Sequence, residues 1–339
     1  RGESGRHRGR AQGTPTPREL SLLVAEVATR LRAGAPTSSA WGLALARIGA
    51  GGIVPESTSY PPILDEWARE PPRWELPVRA RAPDAAARRT AASVALACRF
   101  SHGLGAPMAD ILDAIGDSID DAQSVAEARR VASAGPLMSA RVLAALPLIG
   151  IVSALALGAS PWQFYTAATV GRICALLGAA AWVAGIASCR RILARARSVD
   201  EDTDPALACD LVAAGLACGA AIPRVLDALA AACARESLAW TAHALRLGVP
   251  WDEAWEETPE WAHPLRDALE SSWTSGNAPE TMLARSASWE RRSRLADAKT
   301  RAEELSVRLV GPLGACFLPA FLALGIAPLL ATLTGGLNM

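Results

Sequence analysis

Apolar residues recur at helical spacing along most of this chain, and no segment alternates apolar and polar residues as a half-buried strand would. Glycine and proline separate the helical segments, for example at 34–36 and 248–250, where turns are expected. The pattern therefore predicts an all-α protein. The predicted helices cover 18–48 with a turn at 34–36, and 85–102, 108–132, 206–218, 222–235, 238–247, 263–275 and 279–307.

Three long runs without charge interrupt this pattern. No charged residue occurs in the 30 positions of 142–171, in the 17 positions of 173–189, or in the 31 positions after Arg308. A helix needs roughly 20 apolar residues to cross the hydrocarbon core of a bilayer. The runs predict about three transmembrane helices, near 142–159, 165–189 and 309–333. The alternative is a large soluble helical protein, but buried helices rarely run this long without a charge.

The predicted spans divide the chain into segments. A proline-rich stretch, 53–84, is expected to be a loop with at most one short helical turn near 64–69, because such a density of proline breaks regular helices and strands. The predicted segments are a disordered basic N-terminus (1–17), a first cytoplasmic helical domain (18–137), a transmembrane hairpin (138–190), a second cytoplasmic helical domain (191–308) and a C-terminal transmembrane helix (309–333).

Charge predicts the topology of these segments. Arginines flank the runs on the sides of the two helical domains, as at Arg141, Arg190 and Arg308, whereas 158–161 and the C-terminal tail carry none. Basic residues near spans favour the cytoplasmic side. Both helical domains are therefore predicted to be cytoplasmic and the C-terminus to lie outside. No cleavable signal sequence is visible, and the formal net charge of zero argues against a nucleic-acid-binding protein.

The sequence offers no pattern typical of catalysis. The seven cysteines form no C-x-x-C pair, the four histidines have no metal-ligand spacing, and Lys299, the only lysine, follows no phosphate-binding loop. We therefore predict no catalytic residue, no cofactor and no metal site. The cysteines are expected to act as small apolar residues.

Two charged clusters are candidate partner-contact surfaces. The acidic run 109–123 would place several carboxylates on one helix face, although a solvated face of an ordinary bundle helix explains the same pattern. A basic cluster lies on the predicted helix 279–307. A second acidic stretch, 251–261, contains three tryptophans that either contact a partner or anchor a loop in the core. The candidate contact residues are Asp113, Asp117, Asp120, Asp121, Arg291, Arg292 and Arg294.

Prolines and one arginine stand out in the predicted spans. Pro147 and Pro319 each follow a leucine and are predicted to kink their helices. Within a membrane Pro319 and Pro328 would each free a carbonyl that a neighbouring helix must satisfy. Arg172 is expected to lie just before a span beginning at Ile173 and to direct its guanidinium outward; the alternative is a functional intramembrane arginine.

Three segments carry a resemblance to a known family: GPLGACFLPAFLALGIAP at 311–328, SGNAPETMLARSASWERRSR at 275–294 and ARRVASAGPLMSARVLAALPLIG at 128–150. They resemble the type II secretion F-domain family, and within it the tight-adherence (Flp) pilus platform proteins of the B and C types. A weak internal repeat, with a shift of 172 that places Leu146-Pro147 on Leu318-Pro319, is consistent with two F-type domains.

The resemblance implies a polytopic inner-membrane platform protein without catalytic residues, acting in pilus assembly or secretion. Its implied partners are a cytoplasmic hexameric secretion ATPase, pilin or pseudopilin subunits, membrane lipid, and a second platform subunit or another copy of itself. The alternative function is the membrane subunit of a small-molecule transporter, for which three spans are few.

Overall fold

A computed structural model of the protein defines the fold of most of the chain. In the described residues the regular secondary structure is helical and contains no strand, so the predicted all-α class is confirmed. The chain forms two compact units: residues 1–126 with 202–295, and residues 127–201 with 296–339. The described residues are 15–50, 60–69, 85–116, 118–120, 123–124, 127, 138, 142, 145–153, 155–156, 165–166, 169–197, 203–328 and 330.

The first unit is a bundle of short helices, most of whose bounds follow the predicted ones. The helix predicted at 108–132 is an exception, because the helix that begins at Met108 ends at Ala114. Helix 263–275 has the predicted bounds, and the short helical turn predicted near 64–69 is present as α3. The rest of the proline-rich stretch, and most of the N-terminal segment 1–17, lie outside the described residues. The helices are α1 (Pro17–Arg32), α2 (Thr37–Arg47), α3 (Ile63–Ala68), α4 (Ala85–Leu104), α5 (Met108–Ala114), α7 (Pro205–Ala217), α8 (Ile222–Cys233), α9 (Glu236–Arg246), α10 (Trp251–Ala254), α11 (His263–Ser275) and the start of α12 (Glu280–Pro312).

The same turn connects four pairs of these helices. Gly34, Gly105, Gly219 and Gly248 each adopt a positive φ between 77° and 84°, which L-residues with a side chain rarely take. In each case the backbone N–H of the residue after the glycine donates a hydrogen bond to a carbonyl in the last turn of the preceding helix. This is the usual way to satisfy the carbonyls at a helix end. A proline then lies at the N-cap or in the first turn of the next helix. These glycine and proline signals explain why the helix boundaries could be predicted.

Both predicted helical domains contribute to one hydrophobic core in the first unit. Trp41 of α2, Phe100 of α4 and Leu211 of α7 are all fully buried within one continuous cluster. Cys98 and Cys209 lie in this core, where burial raises the pKa of both thiols, that of Cys209 to about 12. These two thiols therefore stay protonated at neutral pH and behave as the apolar residues that the sequence predicts.

The second unit contains the apolar helices. Its main element is α6 (Thr169–Arg197), and residues 145–153 are also helical. The end of α12 continues into a π-helical segment (Leu313–Phe317), a single α-helical turn, α13 (Leu318–Phe321), and a second π-helical segment (Leu322–Ile326). The chain from α12 onward is thus helical through residue 328, with two widened turns.

Among the described residues one helix is long and apolar enough to cross a membrane. It covers Gly171–Ile192, with a mean hydropathy of 1.6, and only 17% of its apolar window is buried. Leu176 and Leu177 on this helix are 72% and 65% exposed. The other two predicted spans, 142–159 and 309–333, extend over residues outside the described part, and they remain predictions.

Candidate functional site

A buried ion pair joins helices α7 and α12 of the first unit. The carboxylate of Asp210 on α7 accepts hydrogen bonds from Nη2 of Arg291, at 2.9 Å from each carboxylate oxygen, and from Oγ of Ser118 at 2.7 Å. The side chains of Asp210 and Arg291 are only 11% and 14% exposed. Breaking such a pair leaves a buried charge without compensation, so the contact fixes α12 against α7.

A second ion pair lies close to the first. Asp204 caps the N-terminus of α7, where its carboxylate accepts hydrogen bonds from the backbone N–H groups of Ala206 at 2.8 Å and Leu207 at 3.2 Å. Arg294, three residues after Arg291 on α12, forms an ion pair with the same carboxylate. Residues three apart lie on one side of a helix, so one face of α12 is held at two points.

Burial dominates the electrostatics of Asp210. Desolvation raises the pKa of this carboxyl to about 6, although the hydrogen bond from Ser118 and the charge of Arg291 both lower it. The pKa of a buried carboxyl without these two partners would be raised further, because the charged form loses its hydration. The ionised pair therefore depends on Arg291 and Ser118 being in place.

The structure places the three arginines of the basic cluster differently. Arg291 and Arg294 bind acidic residues of the same unit, whereas Arg292 is exposed. Contact of these arginines with a partner remains a prediction. Because reversing the charge of Arg291 would disrupt the Asp210 ion pair, only Arg292 can test partner contact without a change inside the unit.

The acidic run lies beside α1. Asp113 forms an ion pair with Arg32, and Oδ1 of Asp120 accepts a hydrogen bond from Oγ of Ser21 at 3.2 Å. Two further predicted residues, Asp117 and Asp121, lie outside the described part of the chain. A partner contact by this run remains a prediction.

The tryptophans of the second acidic stretch anchor their segment. Trp251, Trp255 and Trp261 are 7%, 1% and 6% exposed, and the rings of Trp251 and Trp255 have centroids 5.2 Å apart. Of the two alternatives that the sequence left open, core anchoring describes these side chains.

In the second unit, the prolines of the C-terminal segment accompany its two π-helical turns. Pro319 and Pro328 each follow a π-helical segment by two residues. Proline has no N–H and its ring crowds the carbonyl four residues earlier, which a wider preceding turn relieves. Pro147 is buried within the helical residues 145–153, and a kink there remains a prediction.

A tyrosine satisfies one of the carbonyls that these prolines free. Pro328 cannot donate to the carbonyl of Leu324, four residues earlier, and the hydroxyl of Tyr165 donates to that oxygen at 2.6 Å. This is the kind of interhelical contact that a proline inside a membrane helix requires.

Glycines allow the C-terminal segment to approach its neighbours closely. A Cβ atom on Gly150 would lie 2.7 Å from Cα of Gly325, so the two backbones touch. A Cβ on Gly178 of α6 would lie 2.7 Å from Cγ of Leu324, and one on Gly185 3.0 Å from Cβ of Cys316. Small residues at helix contacts are typical of packing within membranes, where close backbone approach replaces the hydrophobic effect.

Arg172 directs its side chain back along the chain. It is exposed, and its Nη2 donates a hydrogen bond at 3.0 Å to the carbonyl of Thr166, which precedes α6. The guanidinium thus points toward the N-terminal end of the apolar helix. An outward orientation relative to a membrane remains a prediction.

We expect Tyr165→Phe to destabilise the second unit by about 1 kcal/mol, because the carbonyl of Leu324 loses its donor without any loss of ring packing. Pro328→Ala restores a backbone N–H at this position. In that background the same tyrosine substitution should cost clearly less. Thermal unfolding of the four proteins in detergent measures this coupling, and equal costs in both backgrounds would contradict the assignment of the hydroxyl to the freed carbonyl.

Sequence reasoning missed Asp210 and Ser118. The signal available was small: Asp210 is the single charged residue of α7, PALACDLVAAGLA, and lies among residues that are otherwise apolar. A lone carboxylate in an apolar helix needs a partner, but sequence periodicity does not identify Arg291, 81 positions away, as that partner.

A comparison with known protein families bears on this site. Residues 208–327 match the family described as "Type II secretion system (T2SS), protein F". The match includes Asp210, Arg291 and both π-helical segments, and it supports the resemblance to the F-domain family over these residues. No protein of known annotation matches the chain.

Proposed function

We propose that the protein is a membrane platform subunit of a secretion or pilus-assembly machine. The match of residues 208–327 to protein F of the type II secretion system supports the family, and the exposed apolar helix Gly171–Ile192 supports a membrane location. At the finer level, we propose a tight-adherence (Flp) type platform in the inner membrane, with the helical unit in the cytoplasm and the C-terminus outside.

The proposed role is mechanical rather than catalytic. Helix α12 is one continuous helix from Glu280 to Pro312, and its first part carries the two ion pairs to α7. At 1.5 Å per residue, the part of α12 from Arg291 to Pro312 is about 30 Å long. A helix fixed at one end by two ion pairs, one of them buried, transmits displacement along its axis. We propose that α12 passes movement imposed by a secretion ATPase on the bundle to pilin subunits at the apolar segments.

The continuity of α12 is the observation that carries this proposal, and its stiffness can be reduced without changing a contact. Ala296 and Thr300 are exposed positions on α12. Replacing both by glycine costs the helix about 1 kcal/mol per residue and removes no buried side chain. We expect piliation or secretion to fall strongly while the amount of the protein in the membrane stays unchanged.

Thr300→Ala is the matched control, because alanine favours the helix and should leave assembly intact. Normal assembly by the double glycine variant, at normal protein level, would contradict a mechanical role for α12. Separately, copurification of the wild-type chain with a hexameric secretion ATPase tests the proposed partner, and copurification with an ATP-binding cassette subunit instead would favour the transporter alternative.

A further inference from the structure

Helix α12 presents an exposed basic and aromatic face that the ion pairs to α7 do not use. Trp289 is 68% exposed and Met282 is 45% exposed, and Arg285 and Arg292 are exposed on the same side at spacings of three and four. Neither of these two arginines forms an ion pair with a residue that the structure describes. We call Met282, Arg285, Trp289 and Arg292 the basic surface.

The opposite charge lies around α10 of the same unit. Trp251 and Trp255 are buried, so the backbone between them is fixed, and the carboxylates beside them project outward. Two exposed apolar side chains, Trp240 at 56% and Leu247 at 69%, lie just before this segment in the chain. The acidic surface consists of Asp252, Glu253, Glu256, Glu257 and Glu260, all exposed.

The two surfaces are complementary in composition. The basic surface combines two exposed apolar side chains, one of them a tryptophan, with two positive charges, and the acidic surface carries five negative charges. Tryptophan and arginine are the residues that most often carry the energy of protein interfaces. Opposite potentials steer association and fix the orientation of the partners.

We propose that the basic surface of one copy of the protein binds the acidic surface of a second copy. A second copy is the partner that fits, because this chain supplies both a basic surface that contains a tryptophan and an acidic surface held rigidly by buried tryptophans. Reciprocal use of both surfaces closes a dimer, and use of one pair per contact builds a ring or a longer assembly. The proposal is independent of the proposed function, since it concerns self-association only.

A membrane surface is the other class of partner that arginine and tryptophan could suit. The observations favour protein for two reasons. Trp289 lies 19 residues before Arg308, the last charge before the apolar segment, which is about 28 Å along a helix. The acidic surface, which an anionic bilayer would repel, has no role in membrane binding.

Charge exchange tests the proposal on the full chain in detergent micelles, by sedimentation at low and high ionic strength. Wild-type protein is expected to self-associate at low ionic strength and to dissociate as salt screens the charges. Arg285→Glu with Arg292→Glu should weaken association by about tenfold or more, and so should Glu253→Arg with Glu256→Arg. Mixing the two variants, each weak alone, should restore association between them.

Arg18→Glu is the matched control, since Arg18 is exposed on α1 outside both surfaces and its reversal should leave association unchanged. Circular dichroism and the unfolding midpoint check that each variant folds, and Trp289→Ala provides a variant that changes no charge and should also weaken association. Monomeric wild-type protein, wild-type affinity of the reversed variants, or failure of the mixed variants to associate would each overturn the proposal. Loss of binding to anionic vesicles by the basic-surface variant, with self-association intact, would assign that surface to the membrane instead.

Discussion

Replacing Arg291 by alanine is expected to lower the free energy of unfolding of the first unit by about 3–5 kcal/mol near neutral pH. The substitution leaves the carboxylate of Asp210 buried at 11% exposure with only the hydroxyl of Ser118 as partner. Denaturant unfolding followed by tryptophan fluorescence measures the effect, because Trp251 and Trp255 report on this unit.

The neighbouring residue supplies a matched control. Arg292→Ala removes the same side chain from the next position of the same helix, but Arg292 is exposed and its loss should change stability by less than about 0.5 kcal/mol. Equal destabilisation by the two substitutions would show that the ion pair to Asp210 contributes little.

Arg291→Ala should also make the stability of the first unit more sensitive to pH. The pKa of Asp210 in the folded protein is raised to about 6, above its value in an unfolded chain. At pH values between these two pKa values, the folded state therefore binds more protons than the unfolded state. Stability therefore falls as pH rises from about 4 to about 6 and is constant above that window. Without Arg291, whose charge lowers this pKa, the window extends to higher pH.

Arg291→Ala should thus be least destabilising in acid and most destabilising above neutral pH. Asp210→Asn, which cannot titrate, should remove this part of the pH dependence. A variant Arg291→Ala that is destabilised equally at about pH 5 and about pH 8 would contradict the assignment of the cost to the buried carboxylate.

Gly150→Ala is expected to destabilise the second unit by about 1–3 kcal/mol, although alanine favours a helix over glycine. The added Cβ would lie 2.7 Å from Cα of Gly325, and backbone cannot give way as a flexible side chain can. The helical residues 145–153 and the C-terminal segment must therefore separate. The unfolding midpoint of the protein in detergent measures the loss.

Alanine substitutions at two other glycines, Gly178 and Gly314, serve as comparisons for Gly150→Ala. A Cβ on Gly178 meets side-chain atoms, Cγ of Leu324 at 2.7 Å and Cβ of Ala323 at 3.1 Å, and no backbone atom is among its nearest contacts, so the cost of Gly178→Ala should be smaller. Gly314→Ala in the first π-helical segment meets no atom within 4 Å and should be neutral or slightly stabilising. An equal effect of all three substitutions would argue against close backbone approach as the cause.

Two different kinds of contact hold α12 and the segment that follows it. The N-terminal part of α12 is held by ion pairs to α7, and the segment that follows α12 packs by backbone proximity and a tyrosine hydrogen bond. The two ends are thus stabilised by different physical interactions.

Much of the fold followed from the sequence because its determinants are local. Helical periodicity and the glycine–proline turns predicted the helices of the first unit, including α11 at its full bounds, since capping and turn conformations depend on adjacent residues. The sequence also predicted that Pro328 would free a carbonyl, because the missing N–H is a property of the residue itself.

The partners of these groups depended on the tertiary structure, because contacts between distant residues leave no periodic trace. Only the packed bundle pairs Asp210 with Arg291, and it assigns Arg291 and Arg294 to internal ion pairs while leaving Arg292 exposed. Only the packed second unit brings Tyr165 to the carbonyl of Leu324 and Gly150 to Gly325. The sequence by itself determined where helices begin, end and lose hydrogen bonds; the tertiary structure decided which distant side chain or backbone compensates each loss, because burial and proximity arise only when the helices pack.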